Sequence, residues 1–93
     1  MVLPRLYKAV VNPGVQRAVA IAGGQTALAK LVDGLDPSAR LTEGDVKQAH
    51  VWKWLRMDKI PAERAIELEL ALGGRMIRQE FRPDIFGEVD EAA

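Results

Sequence analysis

The sequence predicts an all-α domain, and three observations carry that prediction. Apolar residues recur at spacings of three and four within successive segments, as they do on one face of a helix. Alanine and leucine are plentiful while β-branched runs are few, which favours helix over strand. Chain breakers fall between the periodic segments: Asn12-Pro13, Gly23-Gly24, Asp36-Pro37-Ser38, Pro61 and Gly73-Gly74. Together they outline about five helices around one modest core.

The first helix starts at Asn12-Pro13, with Asn12 as the cap and Pro13 at the first helical position. It buries Val15, Ala18, Val19 and Ala22 and stops at Gly23-Gly24. The second runs from Gln25 to Val32 with Leu28, Leu31 and Val32 inward, and Ala29 is small enough to let another helix cross closely. Residues 33–45 read as an irregular loop, with Leu35, Ala39 and Leu41 tucking it against the body. Thr42-Glu43-Gly44-Asp45 is either part of that loop or a capping box that starts the third helix a turn earlier. The third helix covers about 46–56. The fourth opens at Pro61 with Ala62, Ala65, Ile66, Leu68, Leu70 and Leu72 inward and Glu63, Arg64 and Glu67 in water. A short fifth helix spans Arg78 to Phe81, and Arg82-Pro83-Asp84 reads as a stop, after which Ile85 and Phe86 pack back on the body. Residues 1–11 form an N-terminal extension, 12–87 the domain, and 88–93 a disordered acidic tail.

Composition narrows the function classes. Ninety-three residues make one domain. There is no cysteine and one histidine, so a disulfide framework, a thiolate metal site and a histidine-rich zinc site are all excluded. No apolar run approaches a membrane span. The opening stretch is too interrupted for a signal peptide, and Asn12-Pro13-Gly14 is not a convincing cleavage site. A cytoplasmic protein is expected. The formal net charge is zero, but its distribution is uneven. Lys47, His50, Lys53, Arg56 and Lys59 cluster around the third helix, whereas Asp84, Glu88, Asp90 and Glu91 load the C-terminal end.

The third helix holds the candidate site. Val51, Trp54 and Leu55 form its buried stripe, and Gln48, Ala49, Lys53 and Arg56 form a polar, net-basic face. Such a face suits a DNA major groove: an amide to pair with adenine, a small side chain for close approach, and cations for guanine or phosphate. Helix, turn and recognition helix is therefore the reading for residues 25–56. Trp52 lies between the two faces and has three possible uses: packing on the loop, a dimer contact, or a contact with the sugar-phosphate backbone. His50 reads as a surface or cap residue, lacking partners for a metal site or triad. Glu63, Glu67 and Glu69 read as a charged outer face, not as paired catalytic carboxylates. No active site is expected, and neither a cofactor nor a metal.

These segments resemble a known family. Gly23-Gly24-Gln25-Thr26-Ala27-Leu28-Ala29, Gln48 through Leu55, Ile60-Pro61-Ala62-Glu63-Arg64, Gly73-Gly74 and Arg82 through Gly87 are similar to the Cro/YdaS-like regulators of bacterial prophages. The resemblance covers about 12–87 and implies a small Cro/C1-type helix-turn-helix fold that binds operator DNA, commonly as a dimer, some members being antitoxins. It implies that Gln25 touches the phosphate backbone, that Gln48, Ala49 and Lys53 face base edges or flanking phosphates, and that Val51 and Trp54 lock the recognition helix to the body. The candidate DNA-binding set is Gln25, Thr26, Lys30, Lys47, Gln48, Ala49, His50, Trp52, Lys53 and Arg56. Two departures stand out. Ala29 and Val51 lie twenty-two residues apart, an insertion of about twelve relative to the tight turn of the usual motif. Ile77 stands where relatives often carry a threonine or serine cap.

The expected function is a sequence-specific DNA-binding transcriptional repressor of the prophage Cro type, acting on double-stranded operator DNA as a homodimer. Met76, Ile77, Phe81, Ile85 and Phe86 are the candidate dimer surface. The alternative is an antitoxin or adaptor that uses the same fold as a scaffold for a toxin or other protein partner.

Overall fold

The computed structural model describes residues 11–88. The N-terminal extension, apart from Val11, and the acidic tail, apart from Glu88, lie outside them. Six α-helices follow in order: α1 (Pro13–Ala22), α2 (Gln25–Asp33), α3 (Gln48–Leu55), α4 (Ala62–Ala71), α5 (Arg78–Phe81) and α6 (Pro83–Phe86), with one 3-10 turn at Pro37–Ala39 between α2 and α3. No strand occurs among the described residues. The all-helical prediction holds, and the extra helix is α6: Pro83, read as a stop, occupies the first turn of a new helix, where its missing N–H costs nothing.

α1 begins as its sequence dictates. The Asn12 side-chain oxygen accepts from the Val15 amide at 3.1 Å. The same side chain donates to the carbonyls of Met57 (3.1 Å) and Asp58 (3.3 Å), and the Asn12 amide donates to Leu55 at 2.8 Å. Asn12 thus caps one helix and satisfies carbonyls at the end of another, which explains its burial. α1 ends at Gly23, whose φ of 97° is the left-handed cap that glycine adopts without strain. Gly14 serves a different purpose. A Cβ there would lie 3.1 Å from the Glu80 carbonyl and 3.2 Å from Phe81, so the absent side chain lets α1 approach α5.

The core joins α1 through α5: Val15 and Ala18, then Leu28, Ala29 and Val32, then Val51 and Trp54, Ile60, then Ala65, Leu68 and Leu72, and finally Met76 and Phe81. The last two correct an expectation. Met76 and Phe81 are buried within this chain and cannot form a dimer surface, and of the five C-terminal residues proposed for one only Ile85 is exposed. Leu31, Leu41 and Leu70 were expected inward and are exposed instead. The buried sides of α2 and α4 are narrower than their apolar content suggests.

The largest correction concerns Glu67, expected in water and found with no solvent exposure. Arg64 is also mostly buried. Residues 34–47 fold across α4 and deliver donors to the Glu67 carboxylate: the amides of Leu41 (2.7 Å) and Thr42 (3.0 Å), the Thr42 hydroxyl, and Nε of Arg40 at 3.1 Å. Arg64 adds a bond at 3.0 Å from the same helix. Arg40 also donates to Thr42 and to the Gly44 carbonyl. Val46 is tied through its amide to Asp33 at 2.9 Å. The loop is therefore a built element, and the capping box at Thr42 does not form because its hydroxyl is committed to Glu67.

Burial works to raise the Glu67 pKa, but the bonds from Leu41, Thr42 and Arg64 outweigh it and hold the carboxyl below its ordinary value. Glu67→Ala would strand two cations and two amides. It should cost about 3–5 kcal/mol, read by urea unfolding at neutral pH. A carboxyl with a lowered folded pKa stabilises fully above its ordinary value of 4.5 and loses that contribution as pH falls through the lowered value. Wild type should show this acid-side loss. The alanine variant should lack that component of it.

Candidate nucleic-acid interface

The candidate recognition helix is shorter than the sequence suggested. Val46 is buried and Lys47 is extended, so α3 runs Gln48–Leu55 rather than 46–56. Its start is fixed by His50, whose Nδ1 accepts from the Lys47 amide at 2.9 Å, satisfying a donor that precedes the first turn. The cap reading of His50 is the one the geometry bears out. Val51 and Trp54 are buried and Leu55 is partly so, while Gln48, Ala49, Trp52, Lys53 and Arg56 are exposed. These five positions share a side because they recur at the spacing of a helical turn.

α2 packs beside α3, with Ala29 buried as the small residue between them. Its first residue, Gln25, accepts a hydrogen bond from the Gln48 side chain. The two first-turn amides are thus joined across the gap between the helices, and Gln48 is oriented before any ligand arrives. Thr26 and Lys30 are exposed on α2, and Lys47 is exposed just before α3. The described structure thus gathers the candidate residues of α2 and α3 into one region. His50, only partly exposed and committed to Lys47, is the exception.

Trp52 is half exposed, and the Arg56 guanidinium lies 4.2 Å from its ring centroid. That distance suits a cation–π contact, which holds the cation in place while leaving its donors open. The pair borders a cavity of about 320 Å³, with Val11, Val19 and Leu55 as further apolar lining and Gln16 and Gln25 as polar lining. The loop does not cover Trp52. Sequence reasoning missed Val11, Val19 and Gln16, because nothing in their local pattern links α1 to the recognition helix.

Charge neutrality resolves once the pairs are located. Arg17 pairs with Glu80, Arg40 and Arg64 with Glu67, Lys59 and Arg82 with Asp84, and Arg78 with Glu69. Lys30, Lys47, Lys53 and Arg56 form no ion pair among the described residues. None of the acids in these pairs meets the four cations that α2 and α3 present, although Glu43, Asp45 and Asp58 lie exposed in the segments flanking α3. Among the described residues no cluster of histidine and acidic side chains could hold a metal, and no helix is long and apolar enough to cross a membrane.

The second face of α3 is locked from below. Arg64 of α4 lies 4.9 Å from the Trp54 ring centroid while donating to Glu67, so the buried tryptophan rests on the same cluster that holds the loop.

Comparison with known proteins places the chain in a family. The sequence profile of a family described as bacterial toxin YdaS matches residues 15–90. A curated protein of Escherichia coli strain K12, named "Putative transcriptional regulator YdaS", is 32% identical over 75 residues, which is 80% of this chain and 64% of that protein. The chain therefore spans somewhat less than two thirds of that relative's length. No solved structure matches it.

His50→Ala removes the acceptor for the Lys47 amide and should lower stability by about 1 kcal/mol, measured by thermal or urea unfolding. An unchanged midpoint would show that water replaces the imidazole at no cost.

Proposed function

The chain belongs to the YdaS family, and on that premise we propose that it is a DNA-binding transcriptional regulator whose α3 enters the major groove of an operator. One observation carries the reading: the exposed face of α3 combines an amide already oriented by Gln25, a small residue at Ala49, and cations without acidic partners. Gln48 is placed to read a base edge, bidentate contact with adenine being the usual use of glutamine there. Lys53 and Arg56 serve flanking phosphates or guanine. Lys30 and Lys47 widen the electrostatic footprint, and the free amides at the start of α2 suit a phosphate next to Gln25 and Thr26.

A single helix of this length reads few base pairs. Two copies on a palindromic site would multiply both contacts and specificity, so a homodimer is part of the proposal. Met76 and Phe81, being buried, take no part in its interface, whereas Ile85 is exposed.

The regulator named among the relatives supports this reading, whereas the family description as a toxin points towards a protein partner. One feature favours that second reading: the loop presents exposed Leu41 with the acids Glu43 and Asp45. These would suit a basic protein surface and repel phosphate.

Selection of genomic fragments with the purified full chain, at low and moderate salt, separates the two. A short enriched palindrome that survives moderate salt supports the regulator. Enrichment lost with salt, or none, supports a protein partner. On the selected site, Gln48→Ala should relax preference at one base position by about 1–3 kcal/mol. Lys53→Ala should weaken all sequences alike and reduce the slope of log affinity against log salt by about 1. Equal affinity of wild type and the Gln48→Ala/Lys53→Ala double variant would overturn the assignment.

A further inference from the structure

Resting on the DNA reading, we propose that the groove between α1 and α3 seats one sugar-phosphate unit of the operator strand, with Gln16 of α1 as a phosphate-binding residue. The helix-turn-helix unit is thereby joined by a helix outside it. The groove, of about 320 Å³, brings Gln16, Gln25, Trp52 and Arg56 together, and no carboxylate stands in its wall. A second groove, beside α5 and α6, is lined by Asp58, Glu80 and Asp84 and would repel the same ligand.

The polar groups of the first groove are donors. The Gln25 side-chain oxygen is taken by Gln48, which leaves the NH2 group of Gln25 to donate. Arg56 makes no ion pair among the described residues, and a guanidinium has donors only. The Trp52 indole likewise offers an N–H and no acceptor. Gln16 is exposed on α1 and free to turn its amide to the same anion. Donors around one full positive charge, with no negative charge among them, suit a phosphate oxygen.

Position and shape agree with that chemistry. Gln48, Trp52 and Arg56 follow at intervals of four, so they share one side of α3 and its cap. The groove therefore continues the face that holds Gln48, where the strand bordering a read groove would pass. Trp52, Val19 and Leu55 supply apolar surface for a deoxyribose. The Arg56 guanidinium covers one face of the Trp52 ring at 4.2 Å, so that face is closed to a stacking base. A base would also have to leave the duplex to enter, whereas the backbone enters without unpairing.

The test uses the full chain and the operator recovered by fragment selection. Gln16→Ala should weaken binding about tenfold on operator and random duplex alike. Its salt slope should stay that of wild type, because an amide carries no charge, while Arg56→Ala should lower the slope by about 1. Gln16 is exposed and alanine is the better helix former, so the unfolding midpoint should not fall. Operators with a neutral methylphosphonate at one position at a time then locate the seat. One position should cost wild type about tenfold and cost Gln16→Ala or Arg56→Ala much less, since the contact is already gone. Equal affinity of Gln16→Ala and wild type, or losses that simply add at every phosphate, overturns the seat and leaves the regulator reading intact. A wild type that selects no duplex overturns the regulator reading itself, and the seat with it.

Discussion

The Glu67 carboxylate lies in a part of the molecule with no contact to water. A charge there is tolerated only when it is paired and its lone pairs are filled, because desolvation otherwise costs several kcal/mol. Here the donors come from two cations, two backbone amides and a hydroxyl, and all but the Arg64 bond arrive from one loop. The requirement is reciprocal. The loop amides of Leu41 and Thr42 need acceptors if they are to lie against α4, and the Arg40 guanidinium needs an anion. No buried side-chain polar atom among the described residues is left without a partner. Segment and carboxylate thus stabilise each other, and neither is tenable alone.

That mutual dependence reaches α3. Arg64 donates to both Glu67 and Thr42 and lies over the Trp54 ring, so the cation that fills the carboxylate also braces the buried side of α3. The loop then runs past Asp33, which accepts from the Val46 amide, into the cap that His50 completes. At the other end of α3, Asn12 satisfies the carbonyls of Leu55, Met57 and Asp58. A helix of eight residues is too short to be stable by itself. Its orientation comes from these anchors at both ends and from Trp54 below. The inserted loop is thus part of the support of α3.

Most of the helical framework is legible in the sequence because its signals are local. Asn12-Pro13 starts α1, Gly23 stops it, Ala29 permits close packing, and the stripe of Val51 and Trp54 identifies the buried side of α3. The exposed face of α3 follows from the same periodicity. What escaped is non-local. Glu67 has the spacing of an outward residue on α4, and only the return of Arg40 and Thr42 from more than twenty residues upstream makes it inward. Met76 and Phe81 look like surplus apolar surface until Gly14 admits α5 against α1. The second role of Asn12 is hidden for the same reason: one asparagine is enough to cap a helix, and nothing nearby says that it reaches Met57. Capping and periodicity can be read along the chain, whereas the satisfaction of buried polar groups depends on what the fold brings together.

Charge follows the same division between local sequence and fold. A net charge of zero argues against binding a polyanion only if charge is spread evenly, and here the ion pairs of Glu67, Glu69, Glu80 and Asp84 occupy cations other than those of the α2 and α3 face. Lys30, Lys47, Lys53 and Arg56 remain for the face of α2 and α3. On the proposed reading, four such cations bound the salt slope of one copy at about −4, since each phosphate neutralised contributes about −0.9. A slope that shallow gives weak binding by a lone domain and leaves discrimination to base contacts such as that of Gln48. A neutral chain with a locally cationic face therefore depends on a second copy or on further cations to hold an operator, while its low overall charge limits binding to DNA at random.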